Sequence, residues 1–356
     1  MIKKLAQKAY MQKLKCLPFS KLPMLFICFF FFMQLLTVLP LKADTWRYAM
    51  EESLTDIQGV YASYFKEIIE ENSNHKVLLY PFGTLGESTD LLEQAQAGLL
   101  QFVDQSPGFT GTLIPEAQVF LLPYVLPEKH SEIAYFFQHS KTIHNTFHEL
   151  YSEQDLELLA MFPEGNVAIT TREVFRSTED LSGMKIRVMG SPLLIETYKA
   201  FGAVPTPLPT GEIFGALQTN MIQGQENPWF YLNSAKLYEV SNVITDIGHN
   251  IYTTAVMANK KFYQSSSLAD QRLITKAITQ ATDFIIDYQK KLEASAKIKI
   301  KKAKPNIQYI TLSNAEREPF RQAAKKAKAK FIDMTGSSGQ AVLRQLEEDL
   351  HDAKEH

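Results

Sequence analysis

The sequence predicts an α/β fold spread over two lobes, and three observations predict it. Short apolar runs of strand character alternate with runs whose apolar residues fall at helical spacing. The alternation occurs twice, the second time from about residue 156 onward. A helical pattern late in the chain is too long to belong to one lobe. The 356 residues are 45% hydrophobic, which suffices for two ordinary globular domains.

The first 43 residues stand apart, with seven lysines and no acidic residue. The apolar run MLFICFFFFMQLLTVL follows at 24–39, and Ala43 precedes Asp44. A basic start, a short apolar middle and a small residue at the junction describe a secretory signal peptide, residues 1–43. The run is short for a membrane span of roughly 20 residues. An uncleaved N-terminal anchor is the alternative. Cys16 and Cys28 both lie in this leader, so the mature chain has no disulfide, thiol nucleophile or thiolate metal site. Removing it takes the net charge from −2 to −9, seven lysines being lost. An acidic exported chain without a basic stripe argues against nucleic acid as a partner.

DTWRYA (44–49) reads as the first strand, Ile57 to Ile69 as a helix and KVLLYPF (76–82) as the second strand. A turn at Gly86, a helix through Leu91, Leu92 and Ala95, and a stop at Gly98 come next, before the strand-like LLQFVDQS. VFLLPYVLP (119–127) holds two prolines and is expected to be an extended crossing segment. LELLAMF (156–162), VAIT and KIRV (185–188) are three further strands, with a helix after KIRV. The helix GEIFGALQTN, the segment MIQGQENPWF and the strand material ITDIGHNIYTTAVMAN follow. From about Leu268 to Lys302 no Gly or Pro interrupts a helical pattern, about 50 Å at 1.5 Å per residue. NIQYITLS is a last strand, and the remainder is helical and charged.

In KIRVMGSP an arginine sits inside an apolar strand. Arg187 cannot shed its proton and is costly to bury alone, so it faces either water or an anion. Ser191 and Pro192 form an N-cap and N1 pair for the next helix. A cation at a strand end beside free helical N–H groups, with Gly190 and Ser191 adding donors, makes an anion seat. A surface arginine is the plain alternative. In GQENPW, Glu226, Asn227 and Trp229 are candidates to hydrogen-bond and stack on a small polar ligand, against the plainer reading of a polar loop ended by Pro228. His144 and His148 share the spacing of some zinc sites, yet lack an adjacent Glu or a third ligand, so a solvated helix face is expected. No catalytic or phosphate-cradling motif is present, and neither a cofactor nor a metal is called for.

The run DLSGMKIRVMGSPLLIETYKAFGAVPTPLPTGEIFGALQTNMIQGQENPWF resembles the hallmark segment of the extracytoplasmic solute receptors of TRAP (tripartite ATP-independent periplasmic) transporters, the dicarboxylate-binding DctP-like family. LYPFGTLGE and IPEAQVFLLPYVL match as well, and the likeness covers roughly residues 45–340. It implies a two-lobed periplasmic binding protein fold, type II-like, with a long helix bridging both lobes. Lobe I would comprise 44–164 plus about 253–292, and lobe II 165–252 plus about 293–345, with 346–356 a charged C-terminal tail.

The function implied is a receptor, not an enzyme, that captures a small organic acid in the periplasm and delivers it to TRAP permease membrane subunits. A sensory or anchored receptor of the same fold is the alternative. The resemblance assigns Arg187 to the ligand carboxylate and Asn227 to the ligand. Segments near Ser88 and Ser106 are expected to close from the first lobe on the other side. The chain departs from the sugar-acid pattern at three places. Val167 replaces a second arginine, Arg172 being the nearest alternative. Thr210-Gly211 precede Glu212, and Met189-Gly190 follow Val188. A sialic-acid-like ligand is therefore not expected, and Trp229 or Phe230 would supply an aromatic wall.

Overall fold

The computed structural model describes residues 44–356; the expected signal peptide lies outside the described residues. The first half builds β1 (Thr45–Ala49), α1 (Ile57–Asn72), β2 (Lys76–Tyr80), α2 (Ser88–Gln96) and β3 (Phe102–Gln105). The short α3 (Pro107–Thr110) follows, then a 3₁₀ turn at Pro115–Leu121. The segment expected to be extended is thus a tight turn up to Leu121 and irregular beyond. Next come α4 (His130–His139), a π-helical turn at Thr142–Phe147 and α5 (His148–Ser152).

The second half holds β4 (Leu156–Thr171), β5 (Lys185–Val188), α6 (Pro192–Ala200), β6 (Val204–Pro207), α7 (Ile213–Gln218), β7 (Gly224–Pro228) and α8 (Trp229–Ser234). β8 (Val243–Asp246), β9 (Ile251–Asn259), α9 (Lys260–Ser265), α10 (Leu268–Ala303), β10 (Gln308–Thr311) and α11 (Asn314–Glu355) complete the chain.

The strands join in the order β2-β1-β3-β9-β4-β7-β5-β6, with β8 on β4 and β10 on β8. β1, β2 and β3 run parallel on one side, and β5, β6 and β7 run parallel on the other. The two sets are stitched together by antiparallel β9 and β4. β4 is the connecting element. Leu156 to Asn166 pair with β9, whereas Val167 to Thr171 pair with β7, so one unbroken strand passes between the lobes. LELLAMF and VAIT read as separate strands because FPEGN between them holds a proline and a glycine. Burial between β9 and α10 keeps that stretch extended, and the ladder shifts register between Pro163 and Gly165 instead of breaking. Gly165 takes φ +119, which a side chain would oppose, and a Cβ there would lie 3.0 Å from Gln289 Oε1 on α10.

Period-2 alternation places the two faces of the central strands in different cores. On β9, Ala255 and Met257 join one apolar cluster while Val256 and Ala258 join the other. α10 packs against α1, β4 and α8, and so spans both lobes, as its length predicts. Ser267 caps its start by accepting from the Asp270 amide. The last residues are not a free tail. They continue α11, which packs against α4, with Leu346, Leu350 and Ala353 buried. The apolar i, i+4 spacing was legible there, but charge masked it.

Candidate functional site

β5 is bounded by Gly183 (φ +76) and by Met189-Gly190, and both of its neighbours are paired strands. Ile186 and Val188 therefore fill the apolar layer, and Arg187 points to the opposite face. Its side chain is 2% exposed. Nε donates to Leu208 O at 3.0 Å, and Nη2 reaches Thr210 Oγ1 at 3.5 Å, which fixes the guanidinium plane. Burial lowers its pKa, but the group stays a cation. Among the described residues the arginine ion pairs are Arg176–Glu316 and Arg317–Glu128, and Arg187 is in neither.

What Arg187 faces is a narrow cavity of about 20 Å³. Its lining comes from segments that follow the parallel strands. Glu51 and Glu52 follow β1, Phe109 follows β3, Met189 follows β5, Thr210 follows β6, and Asn227, Pro228 and Tyr231 close β7 and open α8. Tyr252, near the start of β9, completes it. Strand carboxyl ends from both lobes thus converge, as ligand sites in open α/β sheets do. A wider pocket shares Glu51, Glu52, Thr210 and Tyr231 with the cavity and reaches Leu292 on α10.

The wall opposite Arg187 is acidic. Glu51 Oε2 accepts from the Ser106 amide at 3.0 Å, and the side chains of Ser88 and Gln58 act on the same carboxyl. Burial pushes its carboxyl up to about 8. Glu52 accepts from the Gln58 amide at 2.9 Å, and burial, with Glu164 beside it, raises its pKa well above the usual range. Glu164 lies on β4 just before Gly165, held by Thr254 and by Gln58 Nε2 at 3.0 Å, and its pKa is likewise raised by burial.

Of the residues singled out from sequence, Arg187 and Asn227 line the cavity. Asn227 Nδ2 donates to Gln225 Oε1. Ser106 touches the site through Glu51 and caps α3 by accepting from the Gly108 amide. Ser88 is buried at the start of α2, where its hydroxyl acts on the Glu51 carboxyl and draws its pKa down against the effect of burial. Ser191 caps α6 and donates to Gln118 Oε1 at 2.7 Å, so its hydroxyl is committed to the protein. Gly190 is exposed. Glu226 is held by Tyr198 OH at 2.6 Å and His249 Nε2 at 3.0 Å, behind the cavity wall.

Trp229 turns away, packing on Tyr309 with Lys297 over its ring. The aromatic wall is instead Tyr231, Tyr252 and Phe109. Arg172 does not line the cavity, and its Nη2 donates to the carbonyls of Leu217 and Gln218. His148 pairs with Glu157, and His144 bonds the Gln138 carbonyl, so they share no ligand set. Among the described residues no cluster of metal-binding side chains occurs. Sequence reasoning left Glu51, Glu52, Tyr231 and Tyr252 unassigned. Applying the strand-end rule to TWRYAMEE, as it was applied to KIRV, would have found the first two.

Two α/β lobes joined by crossing strands and a bridging helix, with a buried unpaired cation in the cleft, define a solute receptor. Residues 48–334 match the model of the bacterial extracellular solute-binding proteins, family 7, and the chain belongs to that family, the DctP-type receptors of TRAP transporters. It is 57% identical over 309 residues to the ectoine/5-hydroxyectoine-binding periplasmic protein UehA of Ruegeria pomeroyi, covering 87% of this chain and 91% of that one. To the ectoine-binding periplasmic protein TeaA of Halomonas elongata it is 49% identical over 308 residues, covering 86% and 90%. A high-resolution structure of the periplasmic ectoine-binding protein from that organism's TeaABC TRAP transporter superposes with a TM-score of 0.85 at 48% identity, covering 87% of this chain and all of that one. The apo-state structure of the same receptor gives 0.77. The protein is thus a periplasmic TRAP solute-binding receptor rather than an enzyme, of a class that works with membrane permease subunits.

Proposed function

We propose that this receptor captures a compact zwitterion of the ectoine type in the periplasm and delivers it to its permease. Arg187 takes the ligand carboxylate in a bidentate, charge-assisted pair. Glu51 and Glu52 face the ligand's cationic end, and Tyr231, Tyr252 and Phe109 enclose its apolar ring. Asn227 supplies a further polar contact. The observation that carries this reading is the arrangement of charge: a cation without an ion pair on one wall and two buried carboxyls on the other. The names of the two similar receptors support it. The plain organic acid expected from sequence would satisfy only one wall.

In this reading the leader, residues 1–43, is removed on export. Residues 44–164 with about 253–292 move as one lobe, and 165–252 with about 293–345 move as the other. Closure is biased by contacts the ligand makes to both. Isothermal titration of the mature protein with ectoine and 5-hydroxyectoine tests the assignment, alongside native mass spectrometry of whatever co-purifies. Saturable one-to-one binding is expected. Absence of heat with both compounds, together with a co-purifying ligand that lacks a cation, would overturn it.

A further inference from the structure

The cavity is lined by two carboxyls and one cation, and further buried acids stand behind the carboxyls. Besides Glu51 and Glu52, on the segment after β1, Glu164 approaches from β4 and Asp104 from β3. Asp56 lies below Glu52 at the start of α1. The remaining titratable groups near this wall are the hydroxyls of Tyr48, Tyr231 and Tyr252, which burial keeps protonated, and the exposed Lys299 on α10, at the rim of the wider pocket. Glu226 is already engaged by His249 and Tyr198. Arg187 is the one cationic side chain lining the cavity. Buried carboxylates without a counter-charge do not persist; they take up protons. Glu52 and Glu164 lie carboxyl against carboxyl, an arrangement that holds only with a proton between them.

Resting on the reading that Arg187 receives a carboxylate, we infer that the Glu51–Glu52 wall selects ligands by proton exchange: in the sealed receptor it faces either the ligand's own cation or a proton taken from solvent. A zwitterion supplies the cation, and one wall carboxylate stays ionised against it. A ligand with a carboxylate alone leaves that position empty, so the wall must bind one more proton as the lobes close. The free receptor is the same for both ligands and cancels. Rejection of simple organic acids is therefore a function of pH, and the two glutamates determine it. Each unit of pH increase should favour the zwitterion a further tenfold. This holds from the ordinary carboxyl range up to about 8, where burial places Glu51.

The test compares pipecolate with cyclohexanecarboxylate, which share a ring and a carboxylate and differ in the ring ammonium, with ectoine as a third probe. Kd is measured by titration on the mature protein at pH 6, 7 and 8, in buffers of different ionisation enthalpy. The ratio of the two Kd values should rise about tenfold per pH unit. Buffer-dependent heats should show one more proton taken up with cyclohexanecarboxylate. In the Glu51→Gln/Glu52→Gln protein the slope should vanish and the preference for the cation-bearing ring should be lost. Should that variant not fold, the wild-type slope decides alone. Parallel pH profiles for the two acids, or equal proton uptake, would overturn the inference. If ectoine fails to bind while the other pair shows the slope, the ectoine assignment falls and the inference stands. Binding by none of the three refutes both.

Discussion

Replacing Arg187 by lysine removes geometry while keeping charge, so it separates a ligand-holding fork from a mere positive potential. The guanidinium plane is set by Nε on Leu208 O and by Nη2 toward Thr210, which leaves the far edge for a carboxylate. An ammonium keeps one charge but cannot form two parallel bonds, nor can it be oriented by the Leu208 carbonyl. Losing one charge-assisted hydrogen bond is worth about 1.5–3 kcal/mol, or roughly 10- to 150-fold in Kd. Stability should barely change, because no carboxylate of the protein loses a partner. Titration with ectoine reads the first quantity and thermal unfolding of the unliganded protein reads the second. An affinity within threefold of wild type would remove Arg187 from the ligand and with it the argument from its burial. A large fall in unfolding temperature would instead give it a structural role.

Gly108 lets the lobes approach: a Cβ there would sit 2.4 Å from Met189 Sδ and Cε across the cleft. Gly108→Val should weaken ligand binding at least tenfold by obstructing closure, and Met189→Ala in the same chain should restore much of it, as read by titration. Glu164 has its pKa raised by burial, so its contribution to stability is fully present below about 4.5 and is lost as pH rises through the folded value. Thermal unfolding measured from pH 4.5 upward should show wild type losing stability, with Glu164→Gln losing less; identical slopes would contradict this. Phe162 on β4 is fully buried and stacks on Tyr61 of α1 at 4.6 Å. Truncation to alanine should lower unfolding free energy by about 3–5 kcal/mol in denaturant titration.

Much of the fold was legible because its signals are local. The alternation of strand and helix runs, the uninterrupted pattern over Leu268–Lys302 and the Ser191-Pro192 start of α6 each arise from neighbouring residues. What was missed depends on long-range burial. Pro163 and Gly165 read as a break, yet the continuity of β4 is imposed by partners about 90 residues later on β9. The end of α11 read as a charged tail because its buried leucines are outnumbered by lysines and acids. Arg187 and Asn227 stood out through a known pattern of residues, whereas Tyr231 and Tyr252 belong to the site only because β7 and β9 flank the same strand.

The acidic wall was invisible for a further reason, and it bears on how the receptor works. A carboxylate in a sequence is by default a solvated surface group, and only a closed cleft makes Glu51 and Glu52 expensive. In the open receptor both walls are wet and neither charge is strained. Sealing the lobes desolvates Arg187 and the two glutamates together, which opposes closure of the empty protein. On the proposed reading, a zwitterion spanning the cleft would remove both penalties at once, its two ends answering Arg187 and the glutamates from the β5 and β1 sides of the sheet. Arg187 comes from the β5 side and Glu51 from the β1 side, so the molecule satisfying both is also the molecule that links the halves. Recognition and closure are then one electrostatic event. A ligand matched to only one wall needs a proton to close the lobes, so small-angle scattering with saturating cyclohexanecarboxylate should show a contraction at pH 6 that fades as the pH rises past about 8, against a contraction with ectoine at both.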